Sequence, residues 1–177
     1  MYNPYFGSCF FQPYPCFPQP TCYDQEDNYS TCTHTYFLGQ STDEIFIPQS
    51  LFQDTYEQTV DFNEFQDECD VYNLDNTFNP RNDGYYNISV YIPVKLQVLH
   101  QGQLSATIQL ITASGSVKGV ASALATGPTN FNTSLCIYGK YLLSKCDSVF
   151  VKIIVSGNGD GNFFILPAKR SFTGYSC

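Results

Sequence analysis

The sequence predicts an all-β sandwich or barrel. From about Thr35 onward, short runs rich in β-branched and aromatic residues alternate with turn signals, which is typical of many short strands. In residues 85–92 and again in residues 148–155, apolar side chains recur at every second position, the period of a half-buried strand. No stretch of about eleven residues shows the 3.6-residue period of an amphipathic helix, so we expect little helix.

Residues 1–36 are predicted to form an extended connector, and residues 37–177 the β domain. Five prolines between Pro4 and Pro20 remove backbone donors and favour extended conformations, which disfavours a helix or a central strand. Typical disordered tails are poor in aromatic residues, so we expect this arm to bury its aromatic side chains. They could pack on the arm's own domain, dock onto another subunit, or form loose contacts between tails. The residues expected to dock are Tyr2, Tyr5, Phe6, Phe10, Phe11, Tyr14 and Phe17.

The strands of the β domain are predicted from these runs and from the turns between them. Asn82-Asp-Gly is expected to precede a strand, and Gly157-Asn-Gly-Asp-Gly to be a turn between two strands. The candidate strands cover residues 45–47, 58–62, 77–78, 84–93, 95–100, 103–112, 117–124, 132–143, 148–156, 162–166 and 172–175.

Charge is distributed unevenly along the chain. All eight cations lie at or after Arg81 and thirteen of the sixteen acids precede it, so residues 1–80 carry −13 and residues 81–177 carry +5. The acids form a solvated face, or they face a basic surface of the chain's own second half or of a neighbouring copy. The net charge of −8 argues against a nucleic-acid partner.

The eight cysteines favour disulfides over a metal site. No C-x-x-C or H-x-x-x-H pair occurs, and a site from Cys32 and His34 is the weaker alternative. The chain start lacks the pattern of a signal peptide, which suggests assembly in a compartment that becomes oxidising late. Pairing within a chain and between chains both remain open. The candidates for disulfides between subunits are Cys9, Cys16, Cys22, Cys32 and Cys177.

Four segments in order resemble the strands of the tumour-necrosis-factor and complement-head superfamily. They are Phe78-Asn-Pro-Arg-Asn-Asp-Gly-Tyr-Tyr, residues 104–110, residues 141–151 and Ser171-Phe-Thr-Gly-Tyr. In the third segment Asp147 matches the family's Asp, whereas Cys146 replaces its Gly. The resemblance covers about residues 58–177 and implies a jelly-roll sandwich of about ten strands that forms a tight homotrimer.

The resemblance also implies aromatic side chains along the threefold axis of a trimer. Tyr86 and Tyr91 are weaker candidates for this contact. Because neighbouring residues of a strand point to opposite faces, one of the pair 163 and 164 is expected in the core and the other at the interface. The main candidates are Phe163, Phe164, Phe172 and Tyr175.

No pattern of catalytic or cofactor-binding residues stands out, so we expect no enzyme activity, cofactor or metal. The G-x-S-x-G, P-loop and dinucleotide-binding signatures are absent from the sequence. The carboxylates between Asp54 and Asp70 are interpreted as a solvated acidic strip, with a bound cation or a glycosidase pair as open alternatives. No apolar run reaches the ~18 residues of a transmembrane helix, so no membrane partner is expected.

These features predict a structural subunit of an extracellular surface fibre. The arm docks onto a neighbouring trimer, disulfides lock the contact, and a head-to-tail arrangement produces an open filament. Similarity to spore appendage and exosporium proteins implies a spore-surface location, with Cys9, Cys16 and Cys22 as connector cysteines. The expected partners are further copies of the chain, with an anchor protein and a tip protein as additional candidates. The alternatives are the trimeric receptor-binding or adhesive head of a viral or phage fibre, and a secreted cytokine-like ligand.

Overall fold

The fold consists of antiparallel strands throughout the part of the chain that is described. The computed structural model describes residues 36–48, 55–67, 72 and 75–176. The strands are β1 (Tyr36–Ser41), β2 (Ile45–Pro48), β3 (Tyr56–Thr59), β4 (Glu64–Asp67), β5 (Gly84–Thr112), β6 (Val117–Thr126), β7 (Thr129–Leu143), β8 (Val149–Ile165) and β9 (Arg170–Ser176).

The 29-residue strand β5 forms the centre of the fold. Along one side it pairs first with β7 and then with β6, and along the other side first with β9 and then with β8. Short connections join β6 to β7 and β8 to β9, so each of these pairs runs beside β5 as one long antiparallel segment.

This long ribbon bends and folds onto itself. The first half-sheet has the order β4–β1–β9–β5–β7 and uses residues 84–93 of β5, whereas the second half-sheet has the order β3–β8–β5–β6 and uses residues 102–112. Between them, β2 pairs with the last residues of β8. A rolled antiparallel ribbon with two facing halves is a jelly roll, as predicted.

The core lies between the two half-sheets, which share one cluster of buried side chains. On the side of β1 this cluster is aromatic: the ring of Phe37 stacks on Phe78 with 4.3 Å between centroids and meets Phe172 edge-on at 4.8 Å. Phe78 also exchanges backbone hydrogen bonds with Val149 of β8, so it connects the two half-sheets. The second half-sheet contributes mainly aliphatic side chains, among them Ile108, Leu110, Val151 and Ile153.

The glycine-rich segment 157–161 is not the predicted turn. β8 continues without interruption through this segment. The glycines of the segment pair with β5 at the place where the register shifts between Val98 and Gly102. A side chain at Gly102 would lie 2.2 Å from the carbonyl oxygen of Asn158, and Gly159 has a φ of 88°. The glycines therefore let two backbones lie close together at the bend, and the strands predicted on either side merge into β5 and β8.

The first strand is absent from the predicted set. Its inward positions are Phe37, Gly39 and Ser41, of which only the first is a large apolar residue. The space above Gly39 is filled by Tyr72 and Phe62, whose atoms would lie 3.1 Å from an added Cβ. The predicted strand 77–78 is reduced to isolated bridges from Phe78 to Tyr72 and to Val149.

Candidate self-association surface

The outer face of the first half-sheet carries a group of exposed aromatic side chains, which we call the aromatic face. The side chains that define it point away from the core because their inward neighbours along each strand are buried. Tyr138 is the most exposed, at 77%. The aromatic face consists of the exposed side chains of Tyr85, Tyr91, Tyr138, Tyr175 and Leu142, together with the half-buried Tyr36.

The strand register brings these residues together across four strands. Tyr175 of β9 lies opposite Tyr36 of β1, and Tyr85 of β5 lies opposite Leu142 of β7. Four residues back along β7, beyond Lys140, Tyr138 lies opposite Ser89. Cross-strand neighbours on one face are ~5 Å apart, and diagonal neighbours remain within reach of aromatic side chains. The tyrosines therefore form two groups on one face, around Tyr85 and around Tyr138, with the polar positions Asn87, Ser89 and Lys140 between them.

The aromatic face carries little charge. Among the outward positions that β1, β5, β7 and β9 contribute to this half-sheet, Lys140 is the one charged side chain, and its ammonium nitrogen lies 4.9 Å from the ring centroid of Tyr85. The hydroxyl of Ser134 donates to the hydroxyl of Tyr91 at 3.0 Å. Tyrosine enrichment and depletion of charge are typical of the centre of protein–protein interfaces.

The predicted interface residues divide between the core and the surface. Phe163 and Phe172 are fully buried inside the subunit, which corrects their assignment to a contact between subunits. The weaker candidate Tyr86 is likewise in the core. Tyr175, by contrast, lies on the aromatic face.

Phe164 points outward, as expected for one member of the adjacent pair. Its ring lies 4.9 Å from the ring of Phe46, which is half exposed, and 5.1 Å from the ammonium of Lys95. This small cluster lies at the bend of the ribbon and not on the aromatic face. Phe164 is therefore available for a contact, but at a place separate from Tyr175.

The predicted connector, apart from Tyr36, and the last residue of the chain lie outside the described residues. These include the arm residues Tyr2, Tyr5, Phe6, Phe10, Phe11, Tyr14 and Phe17, and Cys9, Cys16, Cys22, Cys32 and Cys177. Of the two described cysteines, Cys146 is disulfide-bonded, whereas Cys136 is an exposed free thiol opposite Tyr91 on β7.

Part of the acidic first half contacts the basic second half of the same chain. The guanidinium of Arg170 is buried and donates from Nε to the carbonyl oxygen of Asp61 at 2.9 Å and from Nη1 to that of Asp43 at 2.5 Å. Burial lowers the pKa of Arg170, while the two nearby carboxylates oppose that shift. On the surface, Lys152 pairs with Glu57 at 2.9 Å. Some of the charge asymmetry is thus matched within the subunit.

Two described acids of the strip, Asp61 and Asp67, accept hydrogen bonds from neighbouring donors. The Asp67 carboxylate accepts from the backbone N–H of Tyr72 at 2.6 Å, and Asp61 accepts from the Asn76 amide at 3.1 Å. Burial, with help from Asp61 and Asp75, raises the pKa of Tyr72 far above its usual range. Within residues 36–48, 55–67, 72 and 75–176, no group of three His, Cys, Asp or Glu side chains could hold a metal ion.

Two shallow surface cavities lie on the outer faces of the half-sheets, one of them on the same face as Tyr36. One, of about 160 Å³, lies over β1 and β4 beside Leu38 and Glu64. The other, of about 270 Å³, lies on the outer face of the second half-sheet beside Ser105, Leu124 and Asn158. In the described part of the chain, no helix is long and apolar enough to cross a membrane.

Of the residues of the aromatic face, Tyr91 and Tyr175 are interface candidates from the sequence alone. Tyr85, Tyr138 and Leu142 are not among those candidates. The alternation in β5 assigned Tyr85 and Tyr91 to the side opposite Ile88, which was the available signal. The alternation does not predict that β5 pairs with β7. This pairing places Tyr138 and Leu142 on the same face as Tyr85 and Tyr91.

Comparisons with known proteins identify similar structures but no family. No model of a known protein family matches the chain, and no curated protein matches it in sequence. Among solved structures, it is similar to the globular domain of zebrafish complement 1qA protein, with 15% identity over 80% of this chain and 96% of that chain and a TM-score of 0.49. It is also similar to Eiger TNF from S. frugiperda, with 11% identity over 81% of this chain and 91% of that chain and a TM-score of 0.49. A third similar structure is murine APRIL, with 11% identity over 81% of this chain and 99% of that chain and a TM-score of 0.47.

Proposed function

We propose that this chain is a structural subunit that self-associates through the aromatic face into a homotrimer and assembles further into an extracellular fibre. The observation that carries the proposal is the aromatic face itself. Monomeric soluble proteins rarely expose large contiguous apolar surfaces, and such surfaces mark sites of protein contact. A second copy of the chain is the simplest occupant, and a ring of identical heterologous contacts closes at three subunits when each is rotated by about 120° from the next.

The arm supplies the second contact of the proposed fibre. Residues 1–36 hold eight tyrosine and phenylalanine residues in their first 23 positions and four of the eight cysteines. In the proposal this arm docks onto a neighbouring trimer, where disulfides involving Cys9, Cys16, Cys22 or Cys32 lock it. The head-to-tail contact does not close, so it extends into a filament. The spore surface as its location follows only from the resemblance to appendage proteins.

A single charge in the middle of the aromatic face tests the trimer. Tyr138→Lys places an ammonium group in the proposed contact, where it would be buried without a partner. Under reducing conditions, in which the disulfides that lock the fibre cannot form, we expect this variant to be monomeric and the wild type to be trimeric by light scattering during gel filtration and by native mass spectrometry. The matched control is Thr107→Lys, which adds the same charge to the outer face of the second half-sheet and leaves the trimer intact. Trimers of Tyr138→Lys would contradict the proposal.

Electron microscopy separates the fibre from a discrete trimeric head of the adhesive type. Under oxidising conditions the full-length protein is expected to form long fibres, and deletion of residues 1–23 is expected to leave soluble trimers. Isolated trimers of the full-length, oxidised protein would refute the fibre and favour the adhesive head. Fibres that persist after the deletion would show that the arm is not the connector.

A further inference from the structure

The outer edge of β6 is a second candidate contact surface, separate from the aromatic face. β6 pairs with β5 along one side, and no strand among the described residues pairs with its other side. Its ten residues contain no proline, no acid and one cation, Lys118. Proteins usually protect exposed edges with prolines, charges, bulges or a covering element, so an edge of this kind is suited to accepting another strand.

Apolar side chains flank this edge. Val120 and Leu124 point to the outer side of the second half-sheet and are 56% and 59% exposed. They belong to the most exposed large apolar residues of the described chain, together with members of the aromatic face. The inward positions of β6 carry only small residues, so a second strand would meet little steric hindrance at the edge.

The residues of β6 form an approximate palindrome about Ser122, and from it we propose that β6 pairs antiparallel with β6 of a second copy about a twofold axis at Ser122. In this register Val120 lies opposite the second copy's Leu124, so that apolar cross-strand pairs cover the exposed side chains on both sides of the axis. The twofold contact is isologous, since each copy contributes the same surface. The residue pairs at equal distance from Ser122 are Ala121 and Ala123, Val120 and Leu124, and Gly119 and Ala125.

The same register accommodates the one charge of the strand. Lys118 comes to lie opposite the second copy's Thr126 and not opposite its own counterpart, so like charges are kept apart. In the subunit, Gln103 lies opposite Thr126 on one side and Asn158 on the other. Lys118 of one copy thus extends a polar row of the other.

The arm of a neighbouring copy is a weaker occupant of this edge. The prolines at positions 4, 13, 15, 18 and 20 each lack the N–H donor that a new ladder requires. A twofold contact also closes on itself and does not propagate. It would therefore join two subunits or two assemblies side by side, in addition to any contact through the aromatic face.

Cysteine cross-linking tests the pairing and its register. The parent is the full-length Cys136→Ser variant, which removes the exposed free thiol of the described chain. Opposite residues of an antiparallel pair have Cα atoms ~4.5–5.5 Å apart, within reach of a disulfide. Ser122→Cys is therefore expected to cross-link to its own counterpart under mild oxidation. Val120→Cys and Leu124→Cys should each fail alone but cross-link when the two variants are mixed.

The linked peptides are identified by mass spectrometry, and circular dichroism confirms that each variant is folded. A Ser122→Cys yield no higher than that of the parent would overturn the pairing. Efficient cross-linking of Val120→Cys alone would overturn the register. If deletion of residues 1–23 abolished the Ser122→Cys cross-link, the arm and not a second β6 would occupy the edge; a cross-link that survives the deletion supports the proposal.

Discussion

The two half-sheets are built from the same ribbon, yet they differ on both of their faces. The first half-sheet buries an aromatic cluster around Phe37 and also exposes tyrosines such as Tyr85 and Tyr138. The second buries aliphatic side chains and exposes hydroxyl and amide groups such as Thr107 and Gln103, together with some apolar side chains of β6 and β8. Period-two alternation thus separates inside from outside in both halves, but only the chemistry of the outward residues indicates which outer face is to be covered.

The half-sheets also differ in the burial of a cationic side chain. Arg170, at the start of β9, is 1% exposed. Its guanidinium donates to the carbonyl oxygen of Asp43, which precedes β2, and to that of Asp61, which follows β3. Lys152, in the middle of β8, forms its ion pair with Glu57 at the surface. A buried, hydrogen-bonded charge and an exposed pair are expected to contribute very different amounts to stability.

The largest effect is therefore expected from removing the buried charge. Arg170→Met keeps most of the side-chain volume but loses two hydrogen bonds that a buried charged group donates, which should cost about 3 kcal/mol of unfolding free energy. The matched variant Lys152→Met loses only the surface pair and should cost under about 1 kcal/mol. Urea denaturation of both variants measures the difference. Equal losses would show that the half-sheets do not differ in this respect.

A smaller loss is expected where β9 packs under the aromatic cluster. An added Cβ at Gly174 would lie 2.2 Å from Cε1 of Phe37, so Gly174→Ala forces the ring to move. Overpacking of this kind costs about 1–3 kcal/mol. At Gly84, the first residue of β5, an added Cβ meets no atom within 4 Å, so Gly84→Ala is the control. Thermal unfolding should show a lower midpoint for the first variant alone; an unchanged midpoint would mean that the ring adjusts at no cost.

Much of this contrast follows from the sequence, and the rest depends on strand pairing. The alternation in residues 85–92 correctly assigns Ile88 and Val90 to the core, and the turn at Asn82-Asp-Gly correctly precedes β5. The burial of Arg170 could not be predicted in this way, because its partners are carbonyl oxygens of loops distant in the sequence. The path of β8 through residues 157–161 also escapes local rules, since a glycine that favours a turn equally permits a close backbone approach across a sheet.

The smallest effect concerns the phenol within the aromatic side of the core. Tyr72 donates from its hydroxyl to Asn76 at 3.1 Å, so Tyr72→Phe should cost about 1 kcal/mol at neutral pH. Because burial and nearby carboxylates raise the pKa of Tyr72, the folded protein keeps this proton at a pH at which the unfolded chain loses it, above about 10. The stabilising contribution of the proton is complete below that pH and is lost as the pH rises further, by up to about 1.4 kcal/mol per pH unit. Wild type and Tyr72→Phe should therefore become more alike in stability between pH 10 and 11. A gap that stays constant across this range would contradict the proposed burial of the phenol.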